Sequence, residues 1–464
     1  MLHKQTVTLI HCKIYMGVVT NASAAPLTLK AEDVTAVPVG VNGVITPLTL
    51  TEEGKLLWQE NYLSIEKEVL GFSIEGKKII FKAVEENNGG GICCGGNTGV
   101  TVRRRSFIFE LVSEDSMRIW SQKIQEYIDS LETKHQLHAK EVAKSLDILR
   151  YDGVVCVSGD GILVEVVNGL LEREDWDSAI KMPLGVVPAG TGNGMAKSLL
   201  DAVGQSCTAS NATLAIIRGH KQSLDVATIS QGQNRFFSVL MLAWGLIADI
   251  DIESEKYRWM GSARIDYYAI QRIFRLRRYN GCIKFVAAPG YETYGEPANL
   301  EGEINGEVKS NFVQHKGYSG PALHIKDFNR KIEGPFLSVW LHNVPWGGED
   351  ALAAPDARLS DGYLDLVVIK DCPKLTLLSL MTEINKGGHV RSPHVLYFKV
   401  KAFVLEPGTQ LDDPAKEGII DVDGEVLARG KGTYKSHHKP LMTYDKIHIK
   451  VDQGLATVFS PSSI

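Results

Sequence analysis

Residues Asp152 to Gly161 read Asp-Gly-Val-Val-Cys-Val-Ser-Gly-Asp-Gly, a short apolar run that ends in a tight glycine turn. The four apolar residues show no polar alternation, which is typical of a parallel strand covered on both faces. Two glycines in the turn let backbone N–H groups approach an anion, and Asp160 adds a carboxylate to the same crevice. A helix is predicted next, because apolar residues recur at helical spacing: Ile162, Leu163, Val166, Val167, Leu170 and Leu171.

A second strand, glycine loop and helix follow along the chain. Leu184 to Pro188 predicts the strand, Ala189 to Gly194 the loop, and Met195 to Leu200 the helix. Two such units within about fifty residues favour a nucleotide site over two unrelated tight turns, although the turns remain an alternative. Neither loop has the ending of a P-loop or the spacing of the dinucleotide fingerprint, which disfavours standard ATPases and dehydrogenases.

The composition is that of an ordinary globular protein. The chain has 464 residues, of which 44% are hydrophobic and 23% charged, so there is room for two or three domains. A net charge of −5 argues against general nucleic-acid binding. The seven cysteines are an odd number, which favours a reducing compartment over a disulfide scaffold. We find no apolar run long enough to span a bilayer.

The N-terminal part predicts two segments. Residues 1–40 are expected to be a disordered leader, and residues 41–131 predict a β-rich module of the pleckstrin-homology (PH) type. Its short strands end in a helix that carries Trp120 and Ile124 on one apolar face. The basic run Arg103 to Arg105 could meet acidic lipid headgroups or could be a solvated strand edge.

Several blocks together resemble the diacylglycerol kinase and sphingosine kinase superfamily, most closely its plant-type sphingosine (long-chain base) kinases. The resemblance covers the chain from about Glu132 to the C-terminus. It rests on the first glycine turn with Glu165, the loop from Pro188 to Asn193, Leu224-Asp225-Val226-Ala227, the segment from Trp244 to Arg264, and Asp423-Gly424-Glu425.

The resemblance implies a fold for the rest of the chain. Residues 132–222 would form a truncated α/β nucleotide-binding domain with a doubly wound, parallel sheet. Residues 223–464 would form a β-rich, sandwich-like lipid-substrate domain, with a mobile insertion at 289–331. The active site would lie between these two domains.

The resemblance also implies an activity, the transfer of the ATP γ-phosphate to the primary hydroxyl of a sphingoid base. Asp160 would be the general base, and the expected cofactors are ATP and Mg²⁺, with no metal ligand assigned. The substrate-binding residues would be Ser158, Gly159, Gly161 and Asp251. The nucleotide-binding residues would be Thr133, Lys134, His135, Glu165, Gly190, Thr191, Gly192, Arg258, Arg264, Asp423, Gly424 and Glu425.

The segment from Asp249 to Arg264 bears most directly on the substrate. By resemblance, Asp251 meets the amino group of the lipid, while Arg258 and Arg264 contact nucleotide phosphate. A carboxylate forms a charge-assisted hydrogen bond with an ammonium group, and arginine suits phosphate through its fixed donor fork. An acidic solvated edge is the alternative for this charge pattern. The apolar residues from Trp259 to Phe274 could form a lid over an acyl-chain tunnel or a core stripe.

One block of the superfamily is missing. Its members open the catalytic domain with a strand and an Asn-Pro-x-x-Gly-Gly loop that wraps the nucleotide phosphates, yet no asparagine here is followed by proline. About one strand, loop and helix unit is absent, on the order of thirty residues. Losing one phosphate-binding donor costs about 2.7 to 4 kcal/mol of transition-state stabilisation, so we expect this chain to catalyse the transfer poorly.

Two other functions remain open at this point. One is a ceramide or diacylglycerol kinase, and the other is a non-catalytic lipid-binding regulatory protein. The expected partners are a lipid substrate and, through peripheral contact from the cytoplasm, intracellular membranes. No nucleic acid is expected, and the sequence indicates no protein partner.

Overall fold

The computed structural model describes residues 13–15, 35–41, 44–51, 54–65, 69–75, 77–87, 101–111, 120, 122, 124, 135–261, 263–298, 317–324, 327–434 and 439–461. The chain divides into two compact units, Met1–Glu132 and Thr133–Ile464. Most of the predicted leader and much of the predicted insertion lie outside the described residues, so the disorder and mobility expected there stay predictions.

The first unit is built from antiparallel strands. Its sheet has the order β5-β4-β3-β2-β8-β7-β6. The core contains Trp58, Phe81, Phe109 and Trp120, with Trp58 and Phe109 packed edge to face at 5.0 Å. The PH-type identity of this unit stays a prediction. The strands are β1 Lys13–Tyr15, β2 Thr35–Val41, β3 Val44–Leu50, β4 Lys55–Trp58, β5 Asn61–Ser64, β6 Val69–Glu75, β7 Lys78–Asn87 and β8 Thr101–Leu111.

The second unit alternates helices and strands at first and is rich in strands afterwards. Its helices are α1 His138–Ser145, α2 Asp160–Leu171, α3 Trp176–Ala179, α4 Gly194–Asp201, α5 Ala209–Arg218, α6 Leu246–Ser254, α7 Ala263–Phe274 and α8 Lys374–Glu383. Short 3-10 helices cover Ile148–Arg150, Glu255–Met260, Ile384–Lys386 and Gly388–Arg391.

The strands of the second unit follow in chain order. They are β9 Val154–Ser158, β10 Leu184–Pro188, β11 Lys221–Gln231, β12 Asn234–Ser238, β13 Met241–Gly245, β14 Tyr279–Ala287, β15 Glu296–Pro297, β16 Arg330–Glu333, β17 Ser338–His342, β18 Trp346–Gly348, β19 Ala351–Leu352, β20 Leu364–Ile369, β21 Leu396–Gln410, β22 Ile419–Val422, β23 Glu425–Arg429 and β24 Ile447–Phe459.

The main sheet of this unit is mixed, but the strands of its first part, for which the sequence predicted a doubly wound, parallel sheet, pair in parallel with each other and with β24. β9 and β10 are parallel in register from Val154↔Leu184 to Ser158↔Pro188. The C-terminal strand β24 then enters next to β10 and runs antiparallel to β11 and β21. The α/β part and the β-rich part therefore share one sheet, with the order β9-β10-β24-β21-β20-β17-β13-β22-β23 along its path.

The described parts of the predicted insertion pack against other elements of the second unit. β15 pairs with β16 through Glu296↔Lys331 and Pro297↔Arg330. The backbone N–H of Tyr318 donates to the carbonyl of Leu171 at 2.7 Å, at the end of α2. No helix among the described residues is long and apolar enough to cross a membrane.

A close helix contact sets the position of α2. A Cβ atom built on Gly169 would lie 2.4 Å from the carbonyl oxygen of Lys140 and 2.8 Å from the Cβ of Ala143. Because only glycine leaves room there, α1 can approach α2 closely and bring its N-terminal end to the glycine turns.

We predict that Gly169→Ala lowers the free energy of unfolding by about 1 to 3 kcal/mol, because the added methyl overpacks the contact between α1 and α2. Gly161→Ala on the same helix is the matched control, since its new Cβ would make an ordinary contact at 3.5 Å with Glu425. Denaturant unfolding of both variants measures the difference. Equal stabilities would contradict the close contact.

Candidate functional site

The two glycine turns meet at the carboxyl ends of β9 and β10. A Cβ atom on Gly190 would lie only 2.4 Å from the Cα of Gly159, so the two loops touch backbone to backbone. Asn193 closes the second loop in a left-handed conformation and accepts from the N–H of Gly190 at 2.9 Å. The parallel pairing thus brings the turn with Ser158, Gly159 and Gly161 next to the loop with Gly190, Thr191 and Gly192.

Asp160 links the first strand, loop and helix unit to the second. Its Oδ2 accepts from the N–H of Gly194 at 2.8 Å, and its Oδ1 accepts from the N–H of Met195 at 2.9 Å. The predicted general base therefore also caps the N-terminus of α4. Burial raises the pKa of Asp160, and the nearby charge of Asp251 raises it further, although the two backbone donors act in the opposite direction. Each carboxylate oxygen has a second lone pair, so the group can still accept a proton from a substrate.

Glu165 lies one helical turn further along α2 and caps α1. Its two oxygens accept from the N–H groups of Leu137 at 2.9 Å and Ala139 at 3.0 Å. Burial raises the pKa of Glu165 despite these donors. The predicted nucleotide residue thus has a structural function, since it fixes the start of the helix that follows His135. Thr133 and Lys134 lie outside the described residues.

Asp423 holds the turn between β12 and β13. It accepts from the hydroxyl of Ser238 and from the N–H groups of Val239, Leu240 and Met241, at 2.6 to 3.0 Å. This turn separates β12, which ends at Ser238, from β13, which begins at Met241. Burial raises the pKa of Asp423 to about 7, although all four donors favour its charged form.

A small cleft opens beside α2 and brings several predicted residues together. The side chain of Glu425 accepts from Gln136 at 3.2 Å across it, and Gly424 has a positive φ with open space around it. The cleft measures about 160 Å³, below the roughly 300 to 1,000 Å³ of typical ligand pockets. Its lining is Gln136, Leu137, Lys140, Gly161, Val164, Glu165, Asn168, Asn234, Arg235, Phe236, Glu425 and Leu441.

The basic residues of this cleft already have partners. Lys140 forms an ion pair with Glu172 at 2.6 Å. The Nε of Arg235 donates to the carbonyl of Ser319 at 2.5 Å. A phosphate entering the cleft would therefore compete with existing contacts for both cations.

Asp251 and Arg264 lie on neighbouring helices, α6 and α7. Arg264 is buried and donates to the Ser254 hydroxyl at 2.8 Å and to the backbone carbonyl of Asp251 at 3.4 Å. The half-buried carboxyl of Asp251 contacts the carboxyl of Asp421 on β22. Burial raises the pKa of Asp251, while the guanidinium of Arg264 lowers it. The side chain of Arg258 lies outside the described residues.

A buried ion cluster fixes the orientation of α6. Asp249 accepts from the hydroxyl of Tyr279 at 2.6 Å, and Arg277 pairs with both Asp249 at 3.2 Å and Glu253 at 2.8 Å. Asp249 and Glu253 are buried, so the interpretation of this segment as a solvated acidic edge is wrong for them. Because these two carboxylates face the cluster, Asp251 is turned to the other side of the helix.

Sequence reasoning missed the roles of three residues of this region. Asn168 binds the backbone of Phe237 through both ends of its amide, which fixes α2 to β12. Asn193 donates to Glu349 at 2.6 Å, which ties the second glycine loop to the loop after β18. Asp421 is buried against Asp251. Its sequence signal was a carboxylate inside the apolar strand Ile419 to Val422, whereas the others had no local signal.

Comparison with known families identifies two segments. Residues 115–229 match the diacylglycerol kinase catalytic domain. Residues 317–440 match the YegS C-terminal NAD kinase beta sandwich-like domain. The α/β part and the β-rich part of the second unit thus each have a recognised counterpart.

Similar proteins extend over most of the chain. Sphingosine kinase 2 of Arabidopsis thaliana is 56% identical over 91% of this chain and 96% of its own length. Sphingosine kinase 1 of the same plant is 55% identical over 91% of this chain and 95% of its own length. Human sphingosine kinase 1 is 32% identical over 64% of this chain and 76% of its own length.

The alignment with sphingosine kinase 2 of Arabidopsis thaliana has more positions than it has residues of this chain. It has 470 positions but covers 91% of 464 residues, so about 48 positions hold residues of the plant relative that have no counterpart here. Together these positions are numerous enough to include the absent strand, loop and helix unit.

We predict that Asp423→Asn lowers the free energy of unfolding by about 1 to 3 kcal/mol, because an amide NH₂ would face backbone N–H donors in a buried turn. The control is Asp413→Asn, whose carboxylate is exposed and pairs with Lys416. It should change stability by less than about 0.5 kcal/mol. Urea unfolding measures both, and an unaltered Asp423→Asn midpoint would contradict the structural role.

Proposed function

This chain belongs to the sphingosine kinases, and on that premise we propose that it transfers the γ-phosphate of ATP to the primary hydroxyl of a sphingoid base. The proposal rests on one observation. Asp160 and Asp251 lie close enough for their charges to interact, with the first at the glycine turns and the second on α6. A base for the hydroxyl and an acceptor for the amine are therefore available to one lipid headgroup.

Asp160 is the general base of this proposal. It accepts the proton of the primary hydroxyl as the hydroxyl oxygen attacks the γ-phosphorus. Burial raises the pKa of its carboxyl, which brings its basicity closer to working pH and makes proton transfer more effective. The N–H groups of Gly194 and Met195 hold the carboxylate in one orientation.

Asp251 supplies the substrate preference. A sphingoid base carries a positive amine at neutral pH, and a carboxylate stabilises it through a charge-assisted hydrogen bond worth about 1.5 to 3 kcal/mol. Ceramide and diacylglycerol have no free amine. A half-buried carboxylate at this position therefore favours sphingoid bases over those lipids.

The nucleotide binds at the glycine turns in this proposal, because glycine lets phosphate oxygens approach the backbone N–H groups at the start of a helix closely. Among the described residues, no group of three His, Cys, Asp or Glu side chains is arranged to hold a metal ion. Mg²⁺ commonly keeps several waters and binds through one or two carboxylates plus substrate phosphates. Mg²⁺ would arrive on ATP and neutralise the charge of its phosphates.

The hydrocarbon chain of the lipid enters an apolar seam next to Asp251. Leu246 and Ile247 begin α6 and line this seam together with residues of β17, β20 and α8. Its volume is about 30 Å³, close to that of one water molecule. Because the seam is closed by Leu377 and Leu380 of α8, that helix must shift outward when a lipid binds.

A neighbouring surface fits the headgroup region of a membrane. Trp259 and Leu375 are 82% and 81% exposed, and Phe274 is 63% exposed. The side chain of Lys374 donates to the carbonyl of Phe274 at 2.8 Å, so the end of α7 with Phe274 lies beside the start of α8 with Leu375. Peripheral contact of this face with intracellular membranes, from the cytoplasm, would let the lipid pass directly into the seam.

We predict that the purified 464-residue chain phosphorylates sphinganine far more slowly than a version in which the missing strand, loop and helix unit is restored. The loss should exceed about a hundredfold, because one missing phosphate donor alone costs roughly 2.7 to 4 kcal/mol. Transfer of labelled phosphate from ATP measures both proteins. Comparable rates would show that the glycine turns suffice to hold the nucleotide.

The version with the missing unit restored also tests whether Asp160 is the general base. Asp160→Asn should lower its kcat by about 10²- to 10⁴-fold, because the amide cannot accept the hydroxyl proton. A rate within a few-fold of the unmutated protein would exclude Asp160 as the base.

Asp251→Asn should weaken the binding of sphinganine by roughly tenfold or more while leaving an uncharged long-chain diol almost unaffected, because only the amine loses a charged partner. Titration of both lipids, followed by intrinsic tryptophan fluorescence, gives the two dissociation constants. Equal losses for the two lipids would mean that Asp251 has only a structural role.

A further inference from the structure

Asp421 is a carboxyl group in an apolar environment. It lies on β22, opposite Ala243 of β13, and has no exposed surface. Its strand neighbours Ile420 and Val422 are also fully buried. Among the described residues, no hydrogen-bond donor reaches either of its carboxylate oxygens.

The group that Asp421 does contact is another carboxyl, that of Asp251. Two carboxylate oxygens can form a hydrogen bond only if one of them carries a proton. An ionised, unpaired carboxylate in such a place would cost several kcal/mol of stability. The contact therefore describes a carboxyl–carboxylate pair that shares one proton, as two like charges at this distance cannot both ionise.

The charged groups around the pair all raise the pKa of Asp421. Burial and the Asp251 carboxylate raise the pKa of Asp421 well above its usual value, and the charges of Asp423 and Glu425 raise it further. The proton of the pair therefore lies mainly on Asp421.

The charges that act on the partner carboxyl differ in sign. The guanidinium of Arg264 on α7 lowers the pKa of Asp251, whereas Glu255, just beyond α6, raises it. Asp160 at the glycine turn is another anion within electrostatic reach of Asp251. The pair thus holds its proton beside one buried cation and several anions, a setting that favours a second cation.

We propose that Asp421 is a second carboxyl of the amine site, and that the Asp251–Asp421 pair releases its shared proton to solvent when the ammonium group of a sphingoid base binds. The inference rests on the proposed function, since it concerns the site that receives the amine. The ammonium replaces the proton between the two oxygens, so the net charge of the occupied site is the same as that of the free site.

This exchange has a consequence for pH dependence. While the free pair retains its proton, each bound amine displaces one proton, so the affinity for sphinganine rises about tenfold per pH unit. Above the pKa of the pair the affinity stops rising, because no proton remains to be displaced. A long-chain diol without an amine shows no such dependence.

Isothermal titration calorimetry of the full chain with sphinganine tests the exchange in two buffers of different ionisation enthalpy. The difference between the two heats gives the number of protons released. We expect about one proton per sphinganine near neutral pH and none for the uncharged long-chain diol, because one proton links the two carboxyls.

The variant Asp421→Asn tests the contribution of Asp421 separately from that of Asp251. The amide still donates to Asp251, as the protonated acid does, but it has no proton to lose. Release should fall to zero, the affinity should become independent of pH, and sphinganine should bind about tenfold more weakly above neutral pH. The matched control is Asp365→Asn, a buried aspartate that pairs with Lys399 on another strand. This control should release the same number of protons as the unmutated chain.

The outcomes distinguish this proposal from the proposed function. Binding of sphinganine by the unmutated chain without proton release overturns the second carboxyl but leaves the kinase assignment in place. Absence of any sphinganine binding overturns both. The measurement on the unmutated chain suffices for this decision even if Asp421→Asn fails to fold.

Discussion

The carboxylate of Asp160 and its two backbone donors are the interaction on which the site depends. Gly194 and Met195 donate to it from the start of α4, across 34 and 35 positions of sequence. This bridge is possible because β9 and β10 are parallel neighbours whose glycine turns touch at Gly159 and Gly190. The same carboxylate thus ties the two turns together and is the base of the proposed transfer, which would link the stability of the turns to the chemistry.

Helix α6 shows how three carboxylates on one short helix take different roles. The buried carboxylates of Asp249 and Glu253 face the guanidinium of Arg277, which neutralises them and fixes the helix. Asp251 lies on the other face, where it contacts the carboxyl of Asp421. The two carboxylates paired with Arg277 orient the helix, and Asp251, which has no such cation partner on its carboxylate in the described part of the chain, is the proposed acceptor for a cationic substrate.

Local patterns predicted the parts of this fold that depend on neighbouring residues. Leu184 to Pro188 forms the predicted strand, and the turn from Ser158 to Gly161 ends β9 as expected. The mixed sheet could not be predicted, because β24 pairs with strands more than two hundred residues earlier. The cap that Glu165 provides for α1 and the turn held by Asp423 likewise depend on distant backbone donors. These residues were identified by type and resemblance, whereas their structural roles emerged only from the fold.

The most direct test of the account is a crystal structure of the chain with sphinganine bound. The account predicts that the amine lies within hydrogen-bond distance of the carboxyls of Asp251 and Asp421, at about 2.7 to 3.2 Å. The primary hydroxyl should reach Asp160 at the glycine turn, with the hydrocarbon chain in the seam under α8. A lipid bound with its amine in solvent, or away from α6, would contradict the account.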